Sequence, residues 1–426
     1  MRESYNFKDK SFAVYGLGVT GDSVVEFLKK KRAYKIHAWD DYLIKSNLYL
    51  KNRFINSLNT VDYIVMSPGI NILKSKFKKI LLKNNKKIIT DLDLFFLQNK
   101  PKKSIVITGT NGKSTTCSLI HHVLKKNGIK NKLVGNIGKP ILDVKYKKNE
   151  IYVIEASSFQ LEYSKFIKPY CAAILNISQD HLDWHGSKKK YIRSKIKIFN
   201  NQTKHDIAFL NDLNLKQLYK KNNFLGKLNY IKNNLIKITD NQNQHLKLEA
   251  NKNNVKFAYY ITKIFNVDKK AFLKSLESFK GLAHRYEVFY KKNNKVFVND
   301  SKATTFMSTS YALKSSKNIF WILGGLPKLR DKFQFSEFKK NIIKAYIIGK
   351  YRNHFKKYLK GKINFELYRD LKSAINSIFK EIRRIERKKI TILFSPAAAS
   401  YDHYKNFEDR GNTFKKLTIN YAKRYF

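Results

Sequence analysis

The chain is short of cysteine, of acidic residues and of long apolar runs, and each shortage removes a class of protein. Its two cysteines, Cys117 and Cys171, are too few for a disulfide framework and lack metal-ligand spacing. Both read as small buried residues or inert thiols. No run of about eighteen apolar residues occurs, so no membrane span is expected. The opening MRESYNFKDKSFAVYG has no apolar signal-peptide core, which makes a cytoplasmic enzyme the expectation. No C-x-x-C or H-E-x-x-H motif accompanies the histidines, which argues against zinc. No internal repeat is evident.

Asp and Glu number 32 against 86 Lys and Arg, a formal net charge of +54. Such a field attracts nucleic acid or anionic membrane. The lysines, however, are spread along the whole chain rather than gathered in one arm. Lys, Asn, Ile, Phe and Tyr are abundant together, and all use A/T-rich codons. Biased base composition accounts for this better than a nucleic-acid role, for which clustered charge and Arg phosphate forks are the norm. No specific nucleic-acid partner is therefore expected. Steering of anionic substrates, weakened by salt, still follows.

At 426 residues the chain has room for about three domains. FAVYGLG reads as a strand entering a turn, DSVVEFLKKK as a helix and YKIHAWDD as a second strand. VDYIVMSPGI and KIIT continue this βαβ pattern, with a parallel sheet implied. QNKPKKS reads as a linker. SIVITG then opens a second unit, in which IYVIEASS and CAAILNIS are buried strands. A third unit begins near FKGLAHRYEV, with strands in KVFVND, NIFWILGG, AYIIGK and KITILFSP. The Asn-rich segment from Asn201 to Lys256 receives no assignment. The expectation is α/β: three consecutive α/β domains over 1–99, 100–281 and 282–426.

Several strand ends carry chemistry. Gly16-Leu-Gly18-Val-Thr-Gly21 follows a strand, with Asp40 closing the next one. This suits a nucleotide diphosphate at a helix N-terminus, or a packing turn alone. Gly109-Thr110-Asn111-Gly112-Lys113-Ser114-Thr115 stands between strand and helix, as a phosphate loop does. It lacks the usual first glycine, since Ile107 stands five residues before Gly112. Lys113 would neutralise phosphate and Ser114 could ligate Mg²⁺. Glu155 ends a strand and is a candidate Mg²⁺ ligand. Asp180-His181 follows another strand, where an ordinary loop histidine is an equal reading. Asn299-Asp300-Ser301-Lys302 and Ser395 to Asp402 are small polar loops that could hold a carboxylate or merely cap helices.

Taken together, GLGVTG, SPGI, TGTNGKST, GNIGKP, EASSFQLE, ILNISQDHLDWHG, YIRSKIKIF, GLAHRYEV, NDSKATT, GGLPK and SPAAASYDHYKNFEDRGNTF resemble the Mur ligase family. They occur in family order over nearly the whole chain, and the short phosphate loop is the family's normal form. The last motif resembles the D-glutamate-adding branch, and no Asn-Pro-Arg acceptor motif of the diaminopimelate- or lysine-adding relatives is present. The resemblance implies a Rossmann-like N-terminal domain for a UDP-linked substrate, a P-loop-type central ATPase domain and a Rossmann-like C-terminal domain for an amino acid. It implies an ATP-dependent ligase in peptidoglycan precursor synthesis. The substrates implied are UDP-N-acetylmuramoyl-L-alanine and D-glutamate, joined through an acyl phosphate by a monomer. It assigns catalytic roles to Lys113, His181 and Lys195, and Mg²⁺ to Ser114, Glu155, His181 and Lys195, the last as a carbamate.

Residue by residue, the resemblance places ATP at Gly109 to Thr115, Asn251, Asn254, Arg285 and Asp300. It places the UDP-substrate at Val19, Thr20, Asp40, Ser67, Asn136 and Ser157. D-glutamate falls to Lys302, Thr304, Lys328, Ser400 and Phe407. The sequence departs from the family where Leu248-Glu249-Ala250-Asn251 replaces Gly-x-His-Asn, where GGLPK lacks an Asp before its lysine, and where Asp41 replaces a small hydroxyl residue. An NAD oxidoreductase using GLGVTG and a nucleic-acid-binding NTPase are the competing readings. The first leaves GTNGKST unexplained. The second requires strongly salt-dependent DNA binding.

Overall fold

The computed structural model describes residues 5–42, 51–232, 236, 243, 246, 249–328, 331, 333–385 and 389–425. It divides into two compact units, one of Met1–Asn243 with Asn251–Phe279, the other of Gln244–Ala250 with Lys280–Phe426.

The first unit contains two sheets that are parallel throughout. One is built from β1 (Ser11–Tyr15), β2 (Lys35–Trp39), β3 (Tyr63–Met66) and β4 (Ile88–Ile89), in the order β2-β1-β3-β4. The other comprises β5 (Ser104–Thr108), β6 (Asn131–Gly135), β7 (Ile151–Glu155), β8 (Cys171–Ile174), β9 (Ile207–Leu210) and β10 (Lys227–Tyr230), in the order β10-β9-β8-β5-β7-β6. The central strands SIVIT, IYVIE and CAAI are buried at every position. That is the pattern of a parallel strand covered by helices on both faces. The chain leaves β5 towards β6 and β7 and later returns to place β8 on its other side. The reversal makes a crevice at the C-terminal end of β5, where open α/β sheets bind ligands. The segment left unassigned by sequence supplies β9, β10, the helix Leu213–Lys221 and part of the helix Glu249–Lys263.

The helix Asp91–Asn99 joins the two sheets. Its Asp93 carboxylate accepts from Thr90 N, and also from Lys165 N at 2.9 Å and Phe166 N at 2.6 Å. The same group therefore caps its own helix and holds a loop of the second sheet. Cys117 and Cys171 are both buried, in a helix and in β8.

The second unit holds β11 (Glu287–Lys292), β12 (Lys295–Asn299), β13 (Ile319–Gly324), β14 (Ile342–Ile348), β15 (Phe365–Leu367) and β16 (Ile390–Phe394). Their order is β11-β12-β16-β13-β14-β15, with only the β11 pairing antiparallel. The helix Leu371–Ile382 buries Leu371, Ala374, Ile375, Ile378, Phe379 and Ile382, a stripe at helical spacing against this sheet. Its N-terminus is capped by Asp370, which accepts from Ser373 N at 2.8 Å. Among the described residues no helix is long and apolar enough to cross a membrane.

Candidate active site

Three neighbouring strands of the first unit deliver the central site residues. Register pairs Ile107 of β5 with Glu155 of β7, and Thr108 of β5 with Ile174 of β8. Beyond β5 runs the loop Gly109–Gly112, leading into the helix Lys113–Lys126. Thr110 N donates to Asn176 O at 3.0 Å, and Asn111 N to Asn176 Oδ1 at 2.9 Å. Asn176 Nδ2 returns a bond to Asn111 O at 3.0 Å. The loop is thus clamped by the segment after β8, a role for Asn176 that strand patterning does not reveal.

Gly112 takes φ +85, and a Cβ there would strike Asn254 Oδ1. Asn254 is buried, bonded to Thr116 Oγ1 at 3.2 Å and to Asn251 Oδ1 at 2.9 Å. Both expected adenine-side asparagines therefore sit against the first turn of the loop's own helix. Ser114 and Thr115 are buried in that turn.

Two lysines meet at one carbonyl. Gly109 O accepts from Lys113 Nζ and from Lys195 Nζ, each at 2.9 Å. Lys113 also donates to Thr110 O at 2.9 Å. Lys195 is 1% exposed, on the helix Lys188–Ile196, with its amine 4.7 Å above the Tyr191 ring. Sequence alone would give it a solvated helix face. Burial, and then the nearby Lys113 charge, hold the Lys195 amine well below the usual lysine range, against the pull of Asp180 and Glu155. Tyr191 bonds Thr110 Oγ1 at 3.0 Å, which ties this helix to the loop.

Glu155 is 1% exposed. Asn136 Nδ2 donates to its Oε1 at 2.8 Å, while its buried Oε2 makes no hydrogen bond among the described residues. A buried carboxylate oxygen with no donor suits a cation. Among the described residues no cluster of three His, Cys, Asp or Glu could hold a metal. The Glu155 carboxylate and the Ser114 hydroxyl are hard oxygen donors of the kind Mg²⁺ takes a few at a time. His181 follows β8 in the left-handed region at φ +52, with Nε2 3.4 Å from Asp180 Oδ2 and its ring against Phe159. His185 is buried and pushed down to about 4, chiefly by burial, and its Nε2 meets Ser158 Oγ at 3.0 Å. Ser157 caps the short helix Ser158–Tyr163.

The N-terminal set gathers around one turn. Asp40 accepts from Leu17 N at 2.7 Å and Tyr42 N at 2.8 Å, and Ser67 Oγ donates to Gly16 O at 2.7 Å. A Cβ at Gly21 would collide with Gly16 O, so this turn requires glycine there. Val19 is exposed and Thr20 half-buried at the head of the helix Val19–Lys30. Asp41 is held by the Tyr15 hydroxyl at 2.7 Å and Trp39 Nε1 at 3.0 Å. Asn71, four residues after Ser67, donates to Trp184 O at 2.8 Å and so reaches the turn that carries His181.

In the second unit, Asp300 is buried and pushed up to about 7 by desolvation, against donors from Ser395 Oγ and Tyr286 N and the Arg285 charge. Lys302 Nζ lies 3.5 Å from the Phe407 ring centroid. Leu326 and Ala399 exchange backbone bonds at 2.9 Å, which draws together the loops bearing Lys328 and Ser400. Thr304 directly precedes Thr305, the cap of the helix Phe306–Ser315. Arg410, which sequence reasoning assigned no role, is 1% exposed. It donates to Ser301 Oγ, Ser301 O and Ala398 O, joining two of these loops to the helix Phe407–Tyr425.

The Mur ligase middle domain, as a family model, matches residues 107–318. The UDP-N-acetylmuramoylalanine–D-glutamate ligase of Rickettsia prowazekii (strain Madrid E) is 37% identical, over 97% of this chain and 98% of that protein. The enzyme of that name from Rickettsia felis is 35% identical, over 96% and 97%. Among solved structures, the MurF ligase of Thermotoga maritima in complex with ADP superposes with a TM-score of 0.59 at 14% identity, covering 99% of each chain. At that identity the likeness establishes the fold.

Proposed function

The chain belongs to the Mur ligase family, and from that premise we infer that it is an ATP-dependent ligase. It joins D-glutamate to UDP-N-acetylmuramoyl-L-alanine in peptidoglycan precursor synthesis and releases ADP and phosphate. The observation that carries this reading is the convergence of the phosphate loop, Glu155, Lys195 and the Asn176–His181 segment at the ends of β7, β5 and β8.

A carboxylate is a poor acyl donor. The L-alanyl carboxylate oxygen therefore takes the γ-phosphoryl group of ATP, and ADP leaves. The D-glutamate amine attacks the acyl carbon, loses a proton and forms the C–N bond as phosphate departs. Little covalent chemistry falls to the protein, so positioning and charge neutralisation are its work. Lys113 and the loop's N–H groups hold the β- and γ-phosphates. Ser114, Glu155, His181 and a carbamylated Lys195 would hold Mg²⁺, which would further neutralise phosphate charge. The depressed basicity of Lys195 favours its neutral amine. That amine can add to CO₂ and lose a proton, turning a neutral nitrogen group into an anionic oxygen donor suited to Mg²⁺.

Asn136 and Ser157 attend the muramoyl substrate, and Val19, Thr20, Asp40 and Ser67 its uridine diphosphate. Asn251 and Asn254 serve the adenine end of ATP, and Arg285 and Asp300 its phosphate and ribose. Lys302, Thr304, Lys328, Ser400 and Phe407 form the acceptor pocket. These roles fall on three domains, 1–99, 100–281 and 282–426. The enzyme acts as a cytoplasmic monomer. A phosphate-release assay with ATP, the UDP-substrate and a panel of D- and L-amino acids tests the assignment. Release should require both the UDP-substrate and D-glutamate. Turnover with L-lysine or diaminopimelate but not D-glutamate would overturn it.

A further inference from the structure

The turn after β7 is held from below by a buried relay. Ser157 N and Ser157 Oγ both donate to Gln160 Oε1 at 3.1 Å, and Gln160 N donates back to Ser157 Oγ at 3.2 Å. Gln160 Nε2 then lies 3.2 Å from each carboxylate oxygen of Asp91. All three residues are buried, with Asp91 at 4% and Gln160 at 2% exposure. The order of this chain is forced by chemistry. A backbone N–H can only donate, so the atom facing Ser157 N must be the amide oxygen. The amide nitrogen must then face an acceptor, and Asp91 presents two. Asp91 opens the helix Asp91–Asn99, so the acceptor comes from outside the ATP-binding sheet altogether.

We propose that Asp91 is a positioning residue for the ligase reaction, fixing the Gln160 amide and through it the Glu155–Ser158 turn. This rests on the reading that places Ser157 beside the UDP-substrate and Glu155 beside the metal. The backbone before the turn is anchored by Ala156 N to Ile107 O at 3.0 Å and by Asn136 N to Glu155 O at 2.9 Å, so the relay sets the Ser157 end of the turn. Ser157 uses its hydroxyl within the cap, and Ser158 is tied to His185. Without the Asp91 acceptor the Gln160 amide gains by rotating, and its nitrogen then faces the Ser157 N–H. The Ser157 N–H then loses its acceptor and the Ser157 Oγ bond reverses direction, two residues from Glu155.

The test is a swap. Asp91→Asn keeps the volume but puts an NH₂ donor in place of one of the two oxygens that lie 3.2 Å from Gln160 Nε2. It also removes a carboxylate that burial disfavours, so the variant should fold. Its KM for the UDP-substrate should rise about tenfold or more, with KM for ATP within twofold and the melting temperature little changed. Asp91→Asn with Gln160→Glu restores every donor–acceptor match: the new carboxylate accepts from Ser157 N, Ser157 Oγ and the amide introduced at position 91. That double variant should recover to within about threefold of the parent. A folded Asp91→Asn with an unchanged KM overturns the proposal, as does a folded double variant no better than the single. Ser157→Ala separates the two readings. If it shifts the UDP-substrate KM and Asp91→Asn does not, the relay fails and the site stands. If Asp91→Asn alone shifts it, the relay stands and the placing of Ser157 at the substrate fails.

Discussion

At the scale of single residues, burial decides which ionisable groups can be chemical. Lys195 and Lys113 donate to the same carbonyl, so two full ammonium charges would face each other, that of Lys195 fully buried. Losing the Lys195 proton relieves both the desolvation and the repulsion, and a carbamate then turns the repulsion into attraction to Lys113 while supplying oxygens. Lys195→Ala should therefore lose about a hundredfold or more in kcat, in line with removal of one preorganised charged group. Short carboxylic acids should restore part of it by occupying the vacated oxygen position. A folded variant with no restoration would count against the carbamate. Asp300 offers a different test. Its folded value near 7 lies above the unfolded value of 3.8. Its contribution to stability is thus complete below pH 3.8 and is lost as pH rises through 7. The full loss is on the order of 4 kcal/mol. In Asp300→Asn the amide can accept from Tyr286 N and donate to Ser395 Oγ, which is already bonded to Thr309 Oγ1. Thermal melts should show this variant more stable than the parent at about pH 8 and nearly equal at about pH 4. A melting temperature lowered equally at both would refute the argument.

At the scale of elements, the phosphate loop depends on one close approach that composition does not announce. Gly112 is left-handed and lies against the Asn254 side chain, which comes from the helix Glu249–Lys263. Gly112→Ala pays for the left-handed region, about 1–2 kcal/mol, and pushes Asn254 away from Thr116 as well. The expected result is a melting temperature lower by several degrees together with loss of most ATP turnover. A variant with ordinary ATP turnover would show that the loop tolerates a side chain there. The same region marks the boundary of what the sequence discloses. β5, β7 and β8 were legible because central parallel strands are continuous apolar runs. β6, β10 and β15 were not, because edge strands are only part-buried and read as polar loop. The candidate loops were legible because Gly, Lys and acids gather at strand ends, although each alone has a bland alternative such as a packing turn or a helix cap. The Asp91–Gln160–Ser157 relay was not, because 69 residues separate Asp91 from Gln160, and nothing local distinguishes Asp91 from any helix-start acid. Arg410 was invisible for a related reason. In a chain so rich in cations, a buried guanidinium looks like surface until its bonds to Ser301 and Ala398 are seen.

At the scale of the whole molecule, the charge of +54 becomes a kinetic property. Both nucleotide substrates and D-glutamate are anions, and a surface of one sign raises their rate of encounter. The effect scales with ligand charge and is screened over about 8 Å at physiological ionic strength. The UDP-substrate carries a diphosphate and a carboxylate, whereas D-glutamate carries a single net negative charge. Raising salt from about 50 to about 500 mM shortens the Debye length from roughly 14 to roughly 4 Å. Over that range kcat/KM for the UDP-substrate should fall by about tenfold, and that for D-glutamate by clearly less. Because the proposed phosphate-holding groups, Lys113 among them, are part-buried and screened less than the open surface, kcat should stay within about twofold. Parallel slopes for the two substrates would point to a general salt effect on the enzyme rather than to steering. A flat response would mean that the basic surface has no part in substrate capture, and that base composition alone accounts for it.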